Sequence, residues 1–460
     1  MTTVRDPQSP GVGAGGRALG PLPGALPPVE RRAAIPAGFL AGGGIAGIKA
    51  SGRPDLALIV RSGAASLAAA AVFTPNRFAA APIRRSRLNL LATEPAGNGG
   101  FGYADAVVCT SGSANAATGP AGDEDQAEVG RIVNAATGTS EERVLHLSTG
   151  VIGTRLPLDL IRPAVAALVP ALASNDEGLL AAAEAFRTTD SVVKVATATV
   201  DLPGGPIRVT GIAKGVGMIH PNMSTMLSVL VTDAAAEPRL LWEVLRTAAA
   251  RTWNQLSVDG DTSTNDTVFL LASGAAGVVV DEGSRAFAGA VEAVARDLAR
   301  QQAADGEGAT ALVTCQVSGA VDDAEARAVA RVVISSSLLK AAIHGRDPNW
   351  GRIAGAAGNA TLAGAAMLEA AGLSASEARA RGGSAARLDP DRLRIAIAGH
   401  LVYDGRSGGP VEFDREAARH DMAGKEVLLR LDLGLGNGTG EAFGCDLTEA
   451  YVIENSEYTT

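Results

Sequence analysis

The chain has 460 residues, 47% of them hydrophobic, which is enough for two or three ordinary domains around a large core. Only 3% are aromatic, while alanine and glycine abound, a composition suited to helices packed closely on sheets. With 49 acidic against 40 basic residues the net charge is −9, which speaks against a general nucleic-acid binder.

Residues 1–34 are rich in Gly and Pro and lack hydrophobic periodicity, so they read as a disordered leader. Gly11-Val-Gly-Ala-Gly-Gly16 fits GxGxxG by letter. With no strand before it and no helix after it, it is not read as a dinucleotide site. Strands are expected at 56–60, 106–110, 144–148, 192–200, 207–212, 226–231, 267–271, 329–335 and 427–433. Helices are expected at 123–134, 162–169, 178–187 and 240–251. Phe287, Val291, Val294 and Leu298 mark a further helix by their spacing of four, three and four. Asp389-Pro-Asp391 predicts a turn and a subdomain edge near 390. Irregular alternation of strands and helices predicts an α/β or α+β layered fold.

Three cysteines, Cys109, Cys315 and Cys445, lie far apart with no CxxC pair. Neither a disulfide framework nor a zinc ribbon is expected, and a reduced, cytoplasmic setting is the default. No apolar run reaches the ~18 residues of a membrane span, and no apolar segment near the N-terminus suggests secretion.

The most informative stretch runs from Lys214 to Asp233: Lys214-Gly-Val-Gly-Met-Ile-His-Pro-Asn-Met-Ser-Thr-Met-Leu, followed by an apolar run. A threonine is a poor nucleophile without a nearby base. Cutting the chain before Thr225 would supply one, its own α-amine, whose pKa of about 8 lets it accept a proton near neutral pH. Taken alone, Thr225 is better read as the start of a buried strand, where β-branched residues are at home.

This segment resembles the self-cleavage site of the ornithine acetyltransferase family, the bifunctional glutamate N-acetyltransferase/amino-acid acetyltransferases. Further blocks resemble the same family in the same order. They include Gly47-Ile-Lys-Ala-Ser-Gly-Arg-Pro-Asp55, Ser111-Gly-Ser-Ala-Asn-Ala116, Ser148-Thr-Gly-Val-Ile-Gly153 and Thr188-Thr-Asp190. Later ones are Asp259 to Asp266, Asp305-Gly-Glu-Gly308, Asp347 to Arg352, Gly444 to Thr448 and the tail Asn455 to Thr460. The resemblance covers about 36–460.

The resemblance implies an α/β sandwich of layered sheets and helices. It implies self-cleavage between Ser224 and Thr225, giving an α chain, 35–224 behind the leader, and a β chain, 225–460, assembled two and two. The free Thr225 would be the nucleophile, with Thr149 and Gly150 as the oxyanion pair. Thr189, Lys214, Thr225, Glu307, Asn455 and Thr460 would bind substrate, Lys214 at a carboxylate and Glu307 at the side-chain ammonium. The substrates implied are N-acetylornithine and glutamate, in arginine biosynthesis. No metal or organic cofactor is implied; acetyl-CoA is the donor in the bifunctional version.

Read without the family, Thr149-Gly150 is a strand-to-helix turn, Lys214 a solvated lysine in a glycine-rich turn, and Glu307 a surface charge. Asp259, Asp261 and Asp266 lack the calcium-loop pattern and read as a rigid polar turn. Gly405-Arg-Ser-Gly-Gly409 fits GxSxG, but Pro410 breaks the strand–turn–helix context of a nucleophile elbow. Five scattered histidines give no Ser-His-Asp triad. The sequence departs from the family at Ser224 and His220, and at Ser113 and Ser337. The rival readings are an amidase or β-aminopeptidase, which hands the acyl group to water, and an uncleaved binding scaffold.

Overall fold

The computed structural model describes residues 26–220, 226–381 and 383–457; Ser224, Thr225 and Thr460 lie outside them, as does most of the expected leader. Two sheets form the centre. One has four strands, in the order Phe39–Gly44, Leu56–Arg61, Ala106–Ser113, Val144–Val151. The other has six, in the order Phe101–Ala104, Leu67–Phe73, Thr267–Ala272, Leu227–Thr232, Gly205–Lys214, Lys194–Leu202.

Alternation along the strands explains how these sheets stack. Ala57 and Ile59 of one strand share a core with Val229, Val231, Phe269 and Leu271 of the other sheet. Their neighbours Leu56, Leu58 and Val60 turn the other way, onto Val129, Ile132, Ile161 and Val165 of the helices Gly119–Thr137 and Leu158–Leu168. On the far side, Leu230, Val268 and Leu270 meet Leu241, Leu245, Val291, Val294 and Leu298 of the helices Pro238–Arg251 and Arg285–Ala304. The result is helix, sheet, sheet, helix, which is the layered α/β sandwich expected: both faces of the central strands are covered, and successive side chains enter opposite layers.

A third sheet of seven strands joins Leu256–Ser257, Leu312–Ala320, Arg394–Ile397, Glu426–Asp432 and Gly438–Cys445 with two short partners. Strands on both sides of residue 390 therefore belong to one sheet, and the turn at 389–391 is not a subdomain edge. Residues 329–335 are not a strand. They end the helix Asp323–Ile334, whose N-cap Asp322 accepts the Glu325 N–H at 3.0 Å. Ala324 and Ala328 pack on one side of this helix, and Val329, Ala330 and Val333 on another. Apolar residues on two faces erase the amphipathic period, which left the β-branched run Val332-Val333-Ile334 to read as a strand.

The expected leader boundary at 34 also falls too late. Glu30 exchanges backbone hydrogen bonds with Thr197, each 2.8 Å. Arg31 forks onto Asp297 at 2.9 Å, and Ala33, Ala34 and Ile35 are buried. Backbone hydrogen bonds and ion pairs to distant residues anchor this segment, and these leave no hydrophobic period in the sequence.

Candidate active site

A pocket of about 190 Å³ opens where the two central sheets end. Its wall includes Thr149, Gly150, Thr189, Lys214, Glu307 and Asn455, six residues spread over more than three hundred positions of sequence. Thr149 and Gly150 do not follow the strand Val144–Val151 but lie within it. The parallel pairing with Ala106–Ser113 slips here, Ser113 facing both Thr149 and Val151. Gly150 has φ +125°, and a Cβ there would run into the backbone of Gly112. The position thus requires glycine for both conformation and space.

Lys214 is not in the glycine-rich turn. It is the last residue of the strand Gly205–Lys214 and is buried. Its ammonium donates to the Thr188 hydroxyl at 2.8 Å and to the Thr149 hydroxyl at 3.3 Å. An ammonium has donors only. At this contact Thr149 Oγ1 must accept, which leaves its own proton to be donated elsewhere. Gln302 Nε2 holds the Lys214 carbonyl at 2.9 Å.

Glu307 occupies the other side. Its two oxygens accept from the Thr189 hydroxyl at 2.9 Å and from Asn455 Nδ2 at 3.0 Å. Asn455 reaches it from the helix Glu449–Glu457, so this part of the tail folds against the pocket. A Cβ at Gly217 would push the Glu307 carboxylate aside. Thr188 and Thr189 both take part, on different partners; the sequence reading had chosen Thr189 alone.

Behind these groups lies Asp190, fully buried. Burial works to raise its pKa, but Lys194 and Lys214, together with the Gly215 N–H, outweigh burial and hold the carboxyl below the ordinary range. Asn265 also supports the site. Its Nδ2 donates to the carbonyls of Ala114 at 2.7 Å and of Ser148 at 2.8 Å, bracing the peptide just before Thr149. Nothing but its place in a polar block marked it.

The chain re-enters the described residues at Met226, whose N–H donates to the buried Asp266 carboxylate at 3.1 Å. Burial raises the Asp266 pKa well above the usual value. Leu227 pairs in register with Lys214. Asp259 accepts N–H bonds from Met218 and Ile219 at 2.5 and 2.9 Å, so it shapes the turn that precedes the proposed cut. His220 bonds Ser257 Oγ at 3.1 Å; burial, then Arg331 and Lys340, push its pKa down to about 4, leaving it neutral at pH 7. Among the described residues no cluster of His, Cys, Asp and Glu could hold a metal ion, and all three cysteines are free and buried.

The model of the ArgJ family matches residues 40–460. The chain belongs to the ArgJ family. The "Arginine biosynthesis bifunctional protein ArgJ" of Thermus thermophilus is 44% identical over 430 residues, 93% of this chain and 99% of its own length. The chloroplastic protein of that name from Oryza sativa subsp. indica is 40% identical, over 92% of this chain and 86% of its own. A solved ornithine acetyltransferase of Mycobacterium tuberculosis, complexed with ornithine, is 38% identical over 42% of this chain and 98% of that one, with a TM-score of 0.38. Membership in the ArgJ family makes this chain an acetyltransferase, as the motifs led one to expect. No helix among the described residues is long and apolar enough to cross a membrane.

Proposed function

We propose that this ArgJ-family chain moves the acetyl group of N-acetylornithine to glutamate through an acetyl-threonine, after cutting itself before Thr225. Thr225 Oγ attacks the Ser224 carbonyl carbon. The Ser224–Thr225 C–N bond breaks, the amine takes up the proton, and an ester joins the halves. Water hydrolyses the ester, leaving a Ser224 carboxylate and a free Thr225 hydroxyl and amine.

In the first half-reaction Thr225 Oγ attacks the acetyl carbon and its proton passes to the α-amine. Thr149 and Gly150 stabilise the oxyanion. Collapse breaks the C–N bond; the ornithine nitrogen takes that proton and leaves, with the acetyl group on Oγ. The glutamate amine then attacks the ester and restores the free threonine. Lys214 pairs with the α-carboxylate, Glu307 with the ornithine ammonium, and Asn455 and Thr460 are further substrate contacts.

One observation carries this reading. The pocket unites the Thr149–Lys214 contact and the Glu307 carboxylate, and Lys214 pairs in register with Leu227, two residues beyond Thr225. Membership in the ArgJ family, rather than Glu307, favours a transferase over an amidase that hands the acyl group to water. No metal or organic cofactor enters the scheme; acetyl-CoA serves as a second donor in the bifunctional version. Assembly as two α and two β chains and a cytoplasmic setting belong to the same proposal.

One nucleophile serving two substrates in turn requires ping-pong kinetics. Initial rates with N-acetylornithine and glutamate both varied are expected to give parallel double-reciprocal lines. Intersecting lines would mean direct transfer and end the acetyl-threonine reading.

A further inference from the structure

Lys194 lies outside the pocket wall, yet it is fully buried and bridges two acids: Asp190 Oδ1 at 2.8 Å and Asp305 Oδ2 at 2.6 Å. Each acid is tied to one end of the pocket. Asp190 Oδ1 also accepts the Gly215 N–H at 2.7 Å, and its Oδ2 accepts the Thr188 N–H at 3.2 Å and lies 3.9 Å from the Lys214 ammonium. It therefore fixes Lys214 and the hydroxyl that Lys214 grips. Asp305 caps the end of the Arg285–Ala304 helix, two residues before Glu307, and its Oδ2 also accepts the Ser191 N–H at 3.0 Å.

A buried charge left without a partner is expensive, whereas apolar side chains in place of the whole cluster would cost little. Here the rigid line Asp190–Lys194–Asp305 runs from the residue proposed for the substrate carboxylate to the residue proposed for its ammonium.

We infer that Asp190, Lys194 and Asp305 are positioning residues that set the span between Lys214 and Glu307, and so select the length of the amino-acid side chain that the pocket accepts. This rests on the roles proposed above for Lys214 and Glu307. None of the three touches the substrate; each acts through the group it holds.

The test compares kcat/KM for N-acetylornithine with kcat/KM for N-acetyllysine, one methylene longer, in the wild type and in Asp305→Asn. A site built to one length discriminates a methylene by roughly 10–200-fold. The variant is expected to lose about tenfold of that ratio through KM, because the turn that carries Glu307 is no longer anchored to Lys194. Acetylation by p-nitrophenyl acetate, which has no ammonium for Glu307 to grip, should stay at the wild-type rate. Asp305→Glu keeps the charge on a longer arm and should also change the ratio, which covers the case of a poorly folded Asn variant. An unchanged ratio in a folded variant, even with lower melting temperature, overturns the inference and leaves the triad structural. Failure of the wild type to deacetylate N-acetylornithine would instead refute the function on which it stands.

Discussion

Lys214 donates to the hydroxyl of Thr149 across 3.3 Å, from the end of a strand in one sheet to a strand of the other, two residues before its end. This contact makes Thr149 a donor of fixed direction, since its oxygen accepts from the lysine. Lys214 then has two tasks in the proposed reaction: it binds a carboxylate, and it aims the oxyanion donor.

A substrate without a carboxylate separates the two tasks. Lys214→Met is expected to slow acetylation by p-nitrophenyl acetate by about 10-fold or more, the loss when an oxyanion donor is disordered rather than removed. Burst kinetics at a single wavelength measures it. An unchanged burst would limit Lys214 to carboxylate binding.

Glu307 is expected to matter to one half-reaction more than to the other. Ornithine brings an ammonium to it, and glutamate brings a carboxylate. A charge-assisted hydrogen bond is worth about 1.5–3 kcal/mol, or about 10- to 150-fold. Glu307→Gln should lower N-acetylornithine deacetylation by about that factor while sparing self-cleavage. Equal loss in both half-reactions, measured by rapid-quench acetylation and deacetylation, would remove Glu307 as the specificity group.

Acid should destabilise the fold through its buried imidazoles. Burial, with a smaller push from Arg85, lowers the His146 pKa to about 3. An unfolded histidine titrates near 6.5. Below that pH the unfolded chain takes a proton that the folded one refuses. Stability is therefore full above about 6.5 and falls as pH drops toward 3. Between pH 7 and 4.5 His146 alone accounts for about 2–3 kcal/mol. Urea midpoints at the two pH values should differ less in His146→Gln than in the wild type; an equal difference would assign the acid sensitivity elsewhere.

Much of the central sandwich was legible because its strands, covered on both faces, are short apolar runs and its amphipathic helices keep one apolar stripe. Val144–Val151 and Arg285–Ala304 are of this kind. Asp323–Ile334 was not, because it is covered on two faces. The site was legible through its motifs but not in its geometry. Sequence placed Lys214 in a turn because Gly215 and Gly217 follow it, while the sheet extends far enough to bury it. Asp190 and Asn265 act through backbone groups brought near by folding, and no spacing in the sequence reports that.

The central claim is that Thr225 becomes an amino-terminal nucleophile and carries the acetyl group. Intact mass spectrometry of the purified protein, before and after mixing with N-acetylornithine, tests it most directly. The account predicts two chains, divided between Ser224 and Thr225, with one acetyl group appearing on the 225–460 chain alone and leaving when glutamate is added. Thr225→Ala should remain a single, unacetylated chain. A wild-type protein that stays in one piece and is fully active, or that acetylates only elsewhere, would contradict it.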